Sequence, residues 1–233
     1  MFELNTDDPF TQFGVWFQEA EASEPDMANA MTLATADADG RPSARIVLLK
    51  DFDSSGFVFY TNCDSPKGQE LTINPFASLN FYWKSSQRQV RIEGPIGRVS
   101  DQEADEYFAT RPRGSQLGAW ASRQSQPLAS RQSLIDEVDR FDKEYGNSSV
   151  PRPPFWSGFR LMPLFVEFWQ AGEFRLHDRF GFSRSAEGDA WATTRMYPSK
   201  YPENAPYFRH RDQLLVWHYQ TLICINTRPE ARC

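Results

Sequence analysis

The chain has 233 residues, of which 40% are hydrophobic and 24% charged, and its net charge is −6. That length suits one domain of ordinary size, and the acidic balance excludes a chain that attracts nucleic acid through its overall charge. No apolar run reaches membrane-spanning length and the acidic N-terminus lacks the apolar core of a signal peptide, so we expect no membrane contact and a cytoplasmic location.

Apolar periodicity, capping residues and turn residues predict the secondary structure. Phe10, Phe13 and Phe17 share one face of an N-terminal helix, and Ser65 with Pro66 opens a second helix. In chain order we predict a helix over 10–20, strands over 31–36, 45–50 and 56–61, a helix over 65–74, strands over 77–83 and 87–99, a helix over 100–110, a short helical turn over 117–120, a helix over 130–145, and strands over 159–169, 174–182 and 189–196.

The order of these elements predicts the fold class. Strands 45–50 and 56–61 flank an Asp-Ser-Ser-Gly turn and form a hairpin, and helices are inserted between later strands. This arrangement favours a mainly β fold with peripheral helices (α+β), an antiparallel barrel or sheet, over a doubly wound parallel fold. The chain has no Gly-x-Gly-x-x-Gly motif and no phosphate loop, so a nucleotide-like cofactor would bind without those devices.

A cationic segment near the C-terminal end of the pattern is the most informative feature. Arg175, His177 and Arg179 are spaced at i, i+2 and i+4, which on a β-strand places them on one face. Apolar and aromatic residues precede them, so the face is expected to be half-buried, and an anionic ligand would relieve the repulsion and the desolvation of its cations. The alternative is a solvated basic strand face.

A second cluster follows the helix predicted at 100–110. Tyr107 and Arg111 are four residues apart and share a helix face, Pro112 and Gly114 turn the chain, and Ser115 can cap the next helix. Hydroxyl groups, a guanidinium and free backbone N–H groups are what a phosphate monoester requires. The alternative is a basic helix C-terminus that offsets the helix dipole.

Weaker anion-binding candidates lie on earlier elements. Arg45 and Lys50 have an odd separation, so a regular strand would direct them to opposite faces unless a bulge intervenes. Tyr60 and Thr61 end a strand just before Lys67 opens a helix. The further polar candidates, which could bind a heteroaromatic edge, are Arg88, Gln89, Gln124 and Ser125.

The chain has many anion binders but no obvious nucleophile or general base. Its histidines and its cysteines, among them Cys63, lack metal-ligand spacing, so no metal site is predicted and a reducing compartment is favoured. This pattern suits an enzyme whose cofactor supplies the chemistry.

At this point the motifs resemble a known family, the pyridoxamine/pyridoxine 5′-phosphate oxidases. The resemblance runs collinearly from about residue 8 to residue 198. It is carried by the segments 45–50, 59–62, 88–90, 111–125 and 166–179.

The resemblance implies an antiparallel split β-barrel that forms a homodimer, with flavin mononucleotide (FMN) bound at the subunit interface. The FMN contacts it implies are Arg45, Ile46, Val47, Leu48, Leu49, Lys50, Tyr60, Thr61, Lys67, Gln89, Gln124, Ser125, Trp169 and Arg179. The contacts it implies for a phosphorylated B6 vitamer are Lys50, Tyr107, Arg111, Ser115, Arg175 and His177.

The implied reaction oxidises pyridoxamine or pyridoxine 5′-phosphate to pyridoxal 5′-phosphate. A hydride passes from the substrate C4′ carbon to the flavin, and oxygen is reduced to hydrogen peroxide. Arg175 and His177 are the implied catalytic residues, Arg175 to position the pyridine ring and His177 to orient the reacting group. Two alternatives stay open: a related FMN oxidase of the phenazine-biosynthesis type, and a non-catalytic flavin- or pyridoxal-phosphate-binding protein.

Two departures from the family pattern stand out. Pro66 occupies a position that is usually basic in the family, which removes one cation from the expected FMN phosphate site. We expect residues 1–198 to form the split-barrel oxidase domain and residues 199–233 to be a C-terminal extension of unknown role. That extension is either a read-through segment that is not native or a real addition that packs on the dimer.

Overall fold

One helix precedes the strands in the sequence, and the other helices lie between strands. The computed structural model describes residues 2–4 and 6–198, so the expected extension at 199–233 lies outside the described residues. The helices are α1 (Pro9–Ser23), α2 (Pro66–Ile73), α3 (Asp101–Thr110), α4 (Arg113–Ala121) and α5 (Arg131–Tyr145), with a 3-10 turn at Glu173–Arg175.

The strands form one antiparallel sheet. They are β1 (Ala30–Ala36), β2 (Pro42–Leu48), β3 (Asp51–Asp53), β4 (Gly56–Asn62), β5 (Phe76–Trp83), β6 (Arg88–Arg98), β7 (Trp156–Leu161), β8 (Phe165–Gln170), β9 (Asp178–Ser183) and β10 (Ala192–Arg195). The main path runs β10-β9-β8-β6-β5-β1-β2, and a branch joins β6 to β7, β4 and β3. The predicted antiparallel fold with peripheral helices is therefore confirmed.

Strand β6 curls the sheet into a half-barrel because it changes partner along its length. Its first part, from Arg88 to Glu93, pairs with β8, and its last part, from Ile96 to Arg98, pairs with β7. The switch falls at Gly94 and Pro95, where proline cannot donate to a ladder and a glycine Cβ would overlap the carbonyl of the crossing chain. This curled sheet is the split barrel that the family resemblance implied.

Helix α1 packs into the interior of the half-barrel and forms the centre of the core. Phe13 and Trp16 are buried, and the Phe13 ring lies 4.9 Å from the Phe57 ring and 5.2 Å from the Phe81 ring. On β1, buried residues alternate with half-buried ones, as expected for a strand with one face on the core. Truncating a buried phenylalanine such as Phe13 to alanine would cost about 3–5 kcal/mol.

Three predicted elements need correction. The strand predicted at 159–169 is two strands, β7 and β8, because both pair with β6 and the chain must turn at Pro163 between them. The strand predicted at 174–182 begins only at Asp178, after the 3-10 turn. The hairpin partner of β4 is β3, whereas Arg45 lies on β2, which pairs with β1.

The two faces of the sheet have different roles. Arg45 lies opposite Leu33, which is fully buried, so both point to the inner face. Gln89, Trp169 and Arg179 are aligned across β6, β8 and β9, and the ladder through β5 and β1 places them on the opposite, outer face. A ligand on the inner side of the sheet would therefore be on the side of Arg45, and Gln89, Trp169 and Arg179 of the same chain would point away from it.

Candidate active site

The first cationic cluster, the Lys67 cluster, consists of Thr61, Ser65, Lys67 and Gln124. The Lys67 ammonium donates to Gln124 Oε1 at 2.7 Å, to Ser65 Oγ at 3.1 Å and to Thr61 Oγ1 at 3.2 Å. Lys67 is only 8% exposed, and these three oxygens are uncharged. A buried ammonium with neutral partners is a site that favours an anion.

Arg45 adds a second cation beside this cluster. Its guanidinium contacts Thr35 and Ser43 and forms an ion pair of 3.0 Å with Glu70 of α2, which also accepts from Thr35. This network fixes the side chain on the inner face and links the middle of β2 to α2. Glu70 carries no sequence signal of its own, which is why sequence reasoning missed it.

The electrostatics of the Lys67 cluster would favour an anion. Burial lowers the pKa of Lys67, the nearby Arg45 lowers it further, and Glu70 offsets part of the shift. One carboxylate therefore faces two cations. A bound phosphate would favour the charged form of Lys67 and offset the excess positive charge of the site.

The second cluster, the Arg111 cluster, lies at the junction of α3 and α4. The Arg111 Cζ atom lies 4.8 Å from the Trp156 ring centroid and 5.4 Å from that of Phe108. One terminal nitrogen of Arg111 is buried and has no hydrogen-bond partner among residues 2–4 and 6–198. Burial lowers the pKa of Arg111, while neighbouring Tyr107 raises it. A buried donor left unpaired is costly, and an anionic acceptor would satisfy it.

Strand β4 connects the two clusters because its side chains alternate. Thr61 points to the Lys67 cluster, and Tyr60 points the other way, where its ring stacks 3.9 Å from the Tyr107 ring and 5.2 Å from the Trp156 ring. Gly158 leaves room for Tyr60, since a Cβ there would lie 2.7 Å from the ring. Burial, reinforced by Glu103, raises the pKa of Tyr60 to about 12.

The remaining predicted phosphate contacts lie at accessible positions. Ser115 is exposed in the first turn of α4, which begins at Arg113 rather than at the predicted 117. Lys50 is exposed, and its backbone N–H donates to Val58 at 2.9 Å at the base of the hairpin. Neither of these side chains is buried or prearranged as Arg111 is.

Segment 172–177 overturns the predicted strand face. Arg175 lies in the 3-10 turn with a φ of 65°, preceded by Phe174 with a φ of 54°. Arg179 lies on β9, whereas Arg175 and His177 precede that strand. The three side chains therefore do not share one strand face, as their spacing at i, i+2 and i+4 predicted. The physical reason is Gly172, whose missing Cβ lets the Leu176 carbonyl approach and close a tight loop.

His177 is held at the end of this loop. Its Nδ1 atom accepts from the Gly172 N–H at 3.2 Å, and its ring lies 4.6 Å from that of Trp169. With Nδ1 acting as an acceptor, the neutral imidazole carries its proton on Nε2. Arg175 is exposed, and its side chain makes no hydrogen bond or ion pair with the described residues.

Arg179 is bound to a buried carboxylate. It contacts Glu167, which is 2% exposed, through two nitrogens at 2.6 Å, and Arg91 also pairs with Glu167 at 2.6 Å. Sequence reasoning missed Glu167, although a single acidic residue inside an apolar strand is a signal of a buried ion pair. Arg179 thus lies in the row with Gln89 and Trp169, and its ion pair with Glu167 holds its side chain there.

The other predicted FMN residues divide between these regions. Val47 points to the inner face and Ile46, which is 64% exposed, to the outer face. Leu48 is half-buried and Leu49 is buried beside the exposed Lys50. Ser125 has a φ of 67° and follows Gln124, so the turn there directs the amide of Gln124 toward Lys67.

Together, these observations define a class of protein: an antiparallel split barrel with two cationic clusters that flank one strand. Residues 2–4 and 6–198 contain no group of His, Cys, Asp and Glu side chains placed to hold a metal ion. Within the same residues, no helix has the length and apolar content needed to cross a bilayer.

Comparison with known proteins identifies the family. The family model described as pyridoxamine 5′-phosphate oxidase matches residues 17–144, and that described as the pyridoxine 5′-phosphate oxidase C-terminal dimerisation region matches residues 156–198. The chain belongs to the pyridoxamine 5′-phosphate oxidase family.

Relatives agree with this assignment. A pyridoxine/pyridoxamine 5′-phosphate oxidase of Azorhizobium caulinodans is 56% identical over 192 residues, 82% of this chain and 91% of the relative. One from Brucella canis is 54% identical over 192 residues, 82% of this chain and 94% of the relative. The crystal structure of PhzG from Burkholderia lata 383, in complex with tetrahydrophenazine-1-carboxylic acid, superposes with a TM-score of 0.78 at 32% identity, covering 83% and 94% of the two chains.

Proposed function

We propose that this protein is an FMN-dependent oxidase that converts pyridoxamine 5′-phosphate or pyridoxine 5′-phosphate to pyridoxal 5′-phosphate. The observation that carries the proposal is the buried, unpaired nitrogen of Arg111, in contact with aromatic rings and beside Tyr107. A phosphate monoester satisfies that donor. Relatives at 54–56% identity that carry this activity in their names support the same conclusion.

The residues of the Lys67 cluster fit the phosphate of FMN. Lys67 is a buried cation whose described partners are neutral oxygens, and Arg45 adds a second cation within electrostatic range. Thr61 and Gln124 would supply hydrogen bonds to the same group. Pro66 provides no cation, so Arg45 and Lys67 together carry the positive charge that this site requires.

The flavin site is completed by a second copy of the chain. Arg45 points to the inner face of the sheet, whereas Gln89, Trp169 and Arg179 point to the outer face. One bound FMN would contact both sets where the outer face of one protomer meets the Lys67 cluster of its partner. The match of residues 156–198 to a dimerisation region supports this homodimer.

Bound FMN would supply the hydride acceptor, and the side chains of the chain would supply binding and orientation. Arg111, with Tyr107, Ser115 and Lys50, would hold the substrate phosphate. Arg175 would position the pyridine ring, and His177 would donate from Nε2 to the reacting group, because its Nδ1 accepts from Gly172. Arg175 and His177 belong to the outer-face side through Trp169, so they would come from the partner protomer.

The domain that performs this function is proposed to be residues 1–198, with residues 199–233 as an extension without a chemical role. A phenazine-biosynthesis-type oxidase is the second candidate, favoured by the superposition on PhzG. The presence of Lys50, Tyr107, Arg111 and Ser115 supports the phosphorylated substrate instead.

Steady-state assays with FMN-loaded protein test the proposal. Pyridoxamine 5′-phosphate should give peroxide and pyridoxal 5′-phosphate absorbance, and Arg111→Ala should raise KM for this substrate. Flavin-loaded protein without turnover of either phosphorylated vitamer would contradict the proposal. Turnover of a tetrahydrophenazine carboxylic acid would then favour the second candidate, and tight pyridoxal-phosphate binding without peroxide would favour a binding protein.

A further inference from the structure

We propose that Trp156 is the positioning residue of the substrate-phosphate site, and that it holds Arg111 in place through its indole face. This inference rests on the proposed function, since it concerns how the same site recognises a phosphate monoester. Trp156 lies at the first position of β7, is 6% exposed and was not among the predicted site residues.

The way Arg111 is held differs from the way the other guanidiniums of the site are held. Arg45 pairs with Glu70, and Arg179 pairs with Glu167. Arg111 instead lies over the rings of Trp156 and Phe108, and no carboxylate accompanies it in the ion pairs of the described residues. The negative face of an indole attracts a cation but accepts no strong hydrogen bond.

Because the support of Arg111 is aromatic and carries no negative charge, the positive charge of the guanidinium is not neutralised and can attract an anionic ligand. A carboxylate partner would compete with a phosphate for the same donors, whereas an indole holds the guanidinium plane and leaves its edge nitrogens available. The donor that this arrangement leaves for a ligand is the buried terminal nitrogen of Arg111, which has no hydrogen-bond partner among the described residues. An aromatic support in place of an acidic one is therefore a selective feature for an anionic substrate.

Trp156 is itself fixed from two sides. Its backbone N–H donates to the Pro153 carbonyl at 3.0 Å, and its backbone carbonyl accepts from Arg152 at 2.8 Å. Arg152 also pairs with Asp101 at 2.8 Å and with Asp105 at 2.5 Å, both on α3, the helix that ends at the Arg111 cap. Arg152 thus links the backbone of Trp156 to α3, the helix that leads into Arg111.

The same indole also orders the hydroxyl side of the site. Its ring is parallel to those of Tyr60 and Tyr107, with interplanar angles of 8° and 2°. Tyr107 is the proposed second phosphate contact, so one side chain positions both a cation and a hydroxyl. Removing the indole should therefore weaken recognition of the phosphate while leaving the reacting end of the substrate unchanged.

Full-length holoenzyme variants Trp156→Leu and Trp156→Phe test this inference. With pyridoxamine 5′-phosphate, Trp156→Leu should raise KM about 10- to 30-fold with kcat within about twofold, and Trp156→Phe should raise KM about threefold. With unphosphorylated pyridoxamine, neither variant should change kcat/KM by more than about twofold. Trp120→Leu is the matched control, since that indole packs on Phe141 in the same aromatic cluster and donates to Pro151.

A double-mutant cycle with Arg111→Ala separates positioning from general packing. In the Arg111→Ala background, Trp156→Leu should change KM for the phosphorylated substrate by less than about twofold. An equal loss in both backgrounds, an equal loss with both substrates, or the same loss in Trp120→Leu would overturn the inference. Where Trp156→Leu does not fold, the same cycle with Trp156→Phe decides.

The two proposals fail in distinguishable ways. Wild-type protein without oxidase activity would refute the proposed function, and displacement of pyridoxal 5′-phosphate by inorganic phosphate would then test Trp156 in the binding assay alone. Phosphate-dependent turnover that is lost in Arg111→Ala but retained in Trp156→Leu would refute the role of Trp156 and leave the proposed function intact.

Discussion

The Lys67 cluster and segment 172–177 are organised in opposite ways. In the Lys67 cluster, the ammonium of Lys67 already contacts three oxygens of the same chain, and Arg45 is held by Glu70. In segment 172–177, Phe174 is 89% exposed and Leu176 is 70% exposed, and Arg175 takes a left-handed backbone conformation.

This difference indicates which half of the site a single chain can complete. The Lys67 cluster, the proposed site of the FMN phosphate, is prearranged, so binding there requires little reorganisation. The segment that carries Arg175 and His177 is strained and exposes apolar side chains, which is costly unless a partner surface covers them. We infer that folding of one chain prepares the site for the FMN phosphate, and that dimerisation completes the flavin site and prepares catalysis.

The largest expected effect is that of Arg175→Ala. Removing the proposed ring-positioning cation should lower kcat about 10²- to 10³-fold, because an electrostatic contact in the reacting complex is lost. FMN affinity, measured by quenching of flavin fluorescence, should stay within about twofold of wild type. Arg41→Ala, at an exposed turn, is the control, and a parallel loss of FMN in Arg175→Ala would contradict the separation of the two regions.

Gly172→Ala should have the next largest effect. A Cβ at this position overlaps the Leu176 carbonyl, so the loop must open and His177 Nδ1 loses the Gly172 N–H. We expect kcat to fall roughly 100-fold with FMN affinity unchanged, since small displacements of catalytic groups are costly. Gly97→Ala is the matched control because nothing lies within 4 Å of its Cβ. Wild-type kcat in Gly172→Ala would show that the tight loop is dispensable.

Lys67→Met should act on the other region. The loss of a charge-assisted contact should weaken FMN binding about 10- to 50-fold, while the apoprotein becomes more stable because a buried cation with a lowered pKa is removed. Fluorescence titration and thermal unfolding of the apoprotein measure these opposite changes. Lys84→Met, at an exposed turn, should change neither quantity. Weaker FMN binding with a less stable apoprotein would indicate that Lys67 is structural.

The smallest expected effect is a pH dependence of FMN affinity. The pKa of Lys67 is lowered in the apoprotein and rises when a phosphate binds, so binding takes up a proton between the lowered value and the ordinary one. Affinity should therefore fall with rising pH in that window, by at most about tenfold per pH unit. The phosphate itself titrates near pH 6, so the slope assigned to Lys67 is the part that disappears in Lys67→Met.

The apoprotein should show the reverse trend over the same window. The unfolded chain binds more protons than the folded chain there, so the stability of the apoprotein rises with pH. In Lys67→Met both slopes should disappear. A slope of FMN affinity that persists in Lys67→Met would assign the titration to another group.

Much of the fold was predictable because its local signals agree with its tertiary contacts. The helix predicted over 100–110 is α3, which Ser100 Oγ caps by accepting from the Glu103 N–H, and the Phe13 face of α1 is the centre of the core. The partner change within β6 was not predictable, since it depends on a crossing chain at Met162 that is distant in sequence. That crossing also explains why one predicted strand at 159–169 became two.

The candidate site shows the same limit. The segment that contains Arg175 and His177 was identified, but the period-two argument was wrong, because Gly172 closes a loop that spacing alone cannot reveal. Glu70 and Trp156 were missed because each acts on a cation from another element. Partners of that kind become visible only when the chain is folded. The residue roles taken from the family resemblance stay predictions.

A hybrid dimer tests the central claim, that each site combines Lys67 of one protomer with Arg175 of its partner. Two differently tagged chains, one with Lys67→Met and the other with Arg175→Ala, would be coexpressed, and the dimer carrying both tags would be assayed with pyridoxamine 5′-phosphate at an FMN concentration that loads the wild type but leaves the Lys67→Met parent largely without cofactor. One of its sites would carry both substitutions and the other none, so the account predicts about half of wild-type activity. Activity no higher than that of the two parent variants would contradict it and place both residues in one protomer's site.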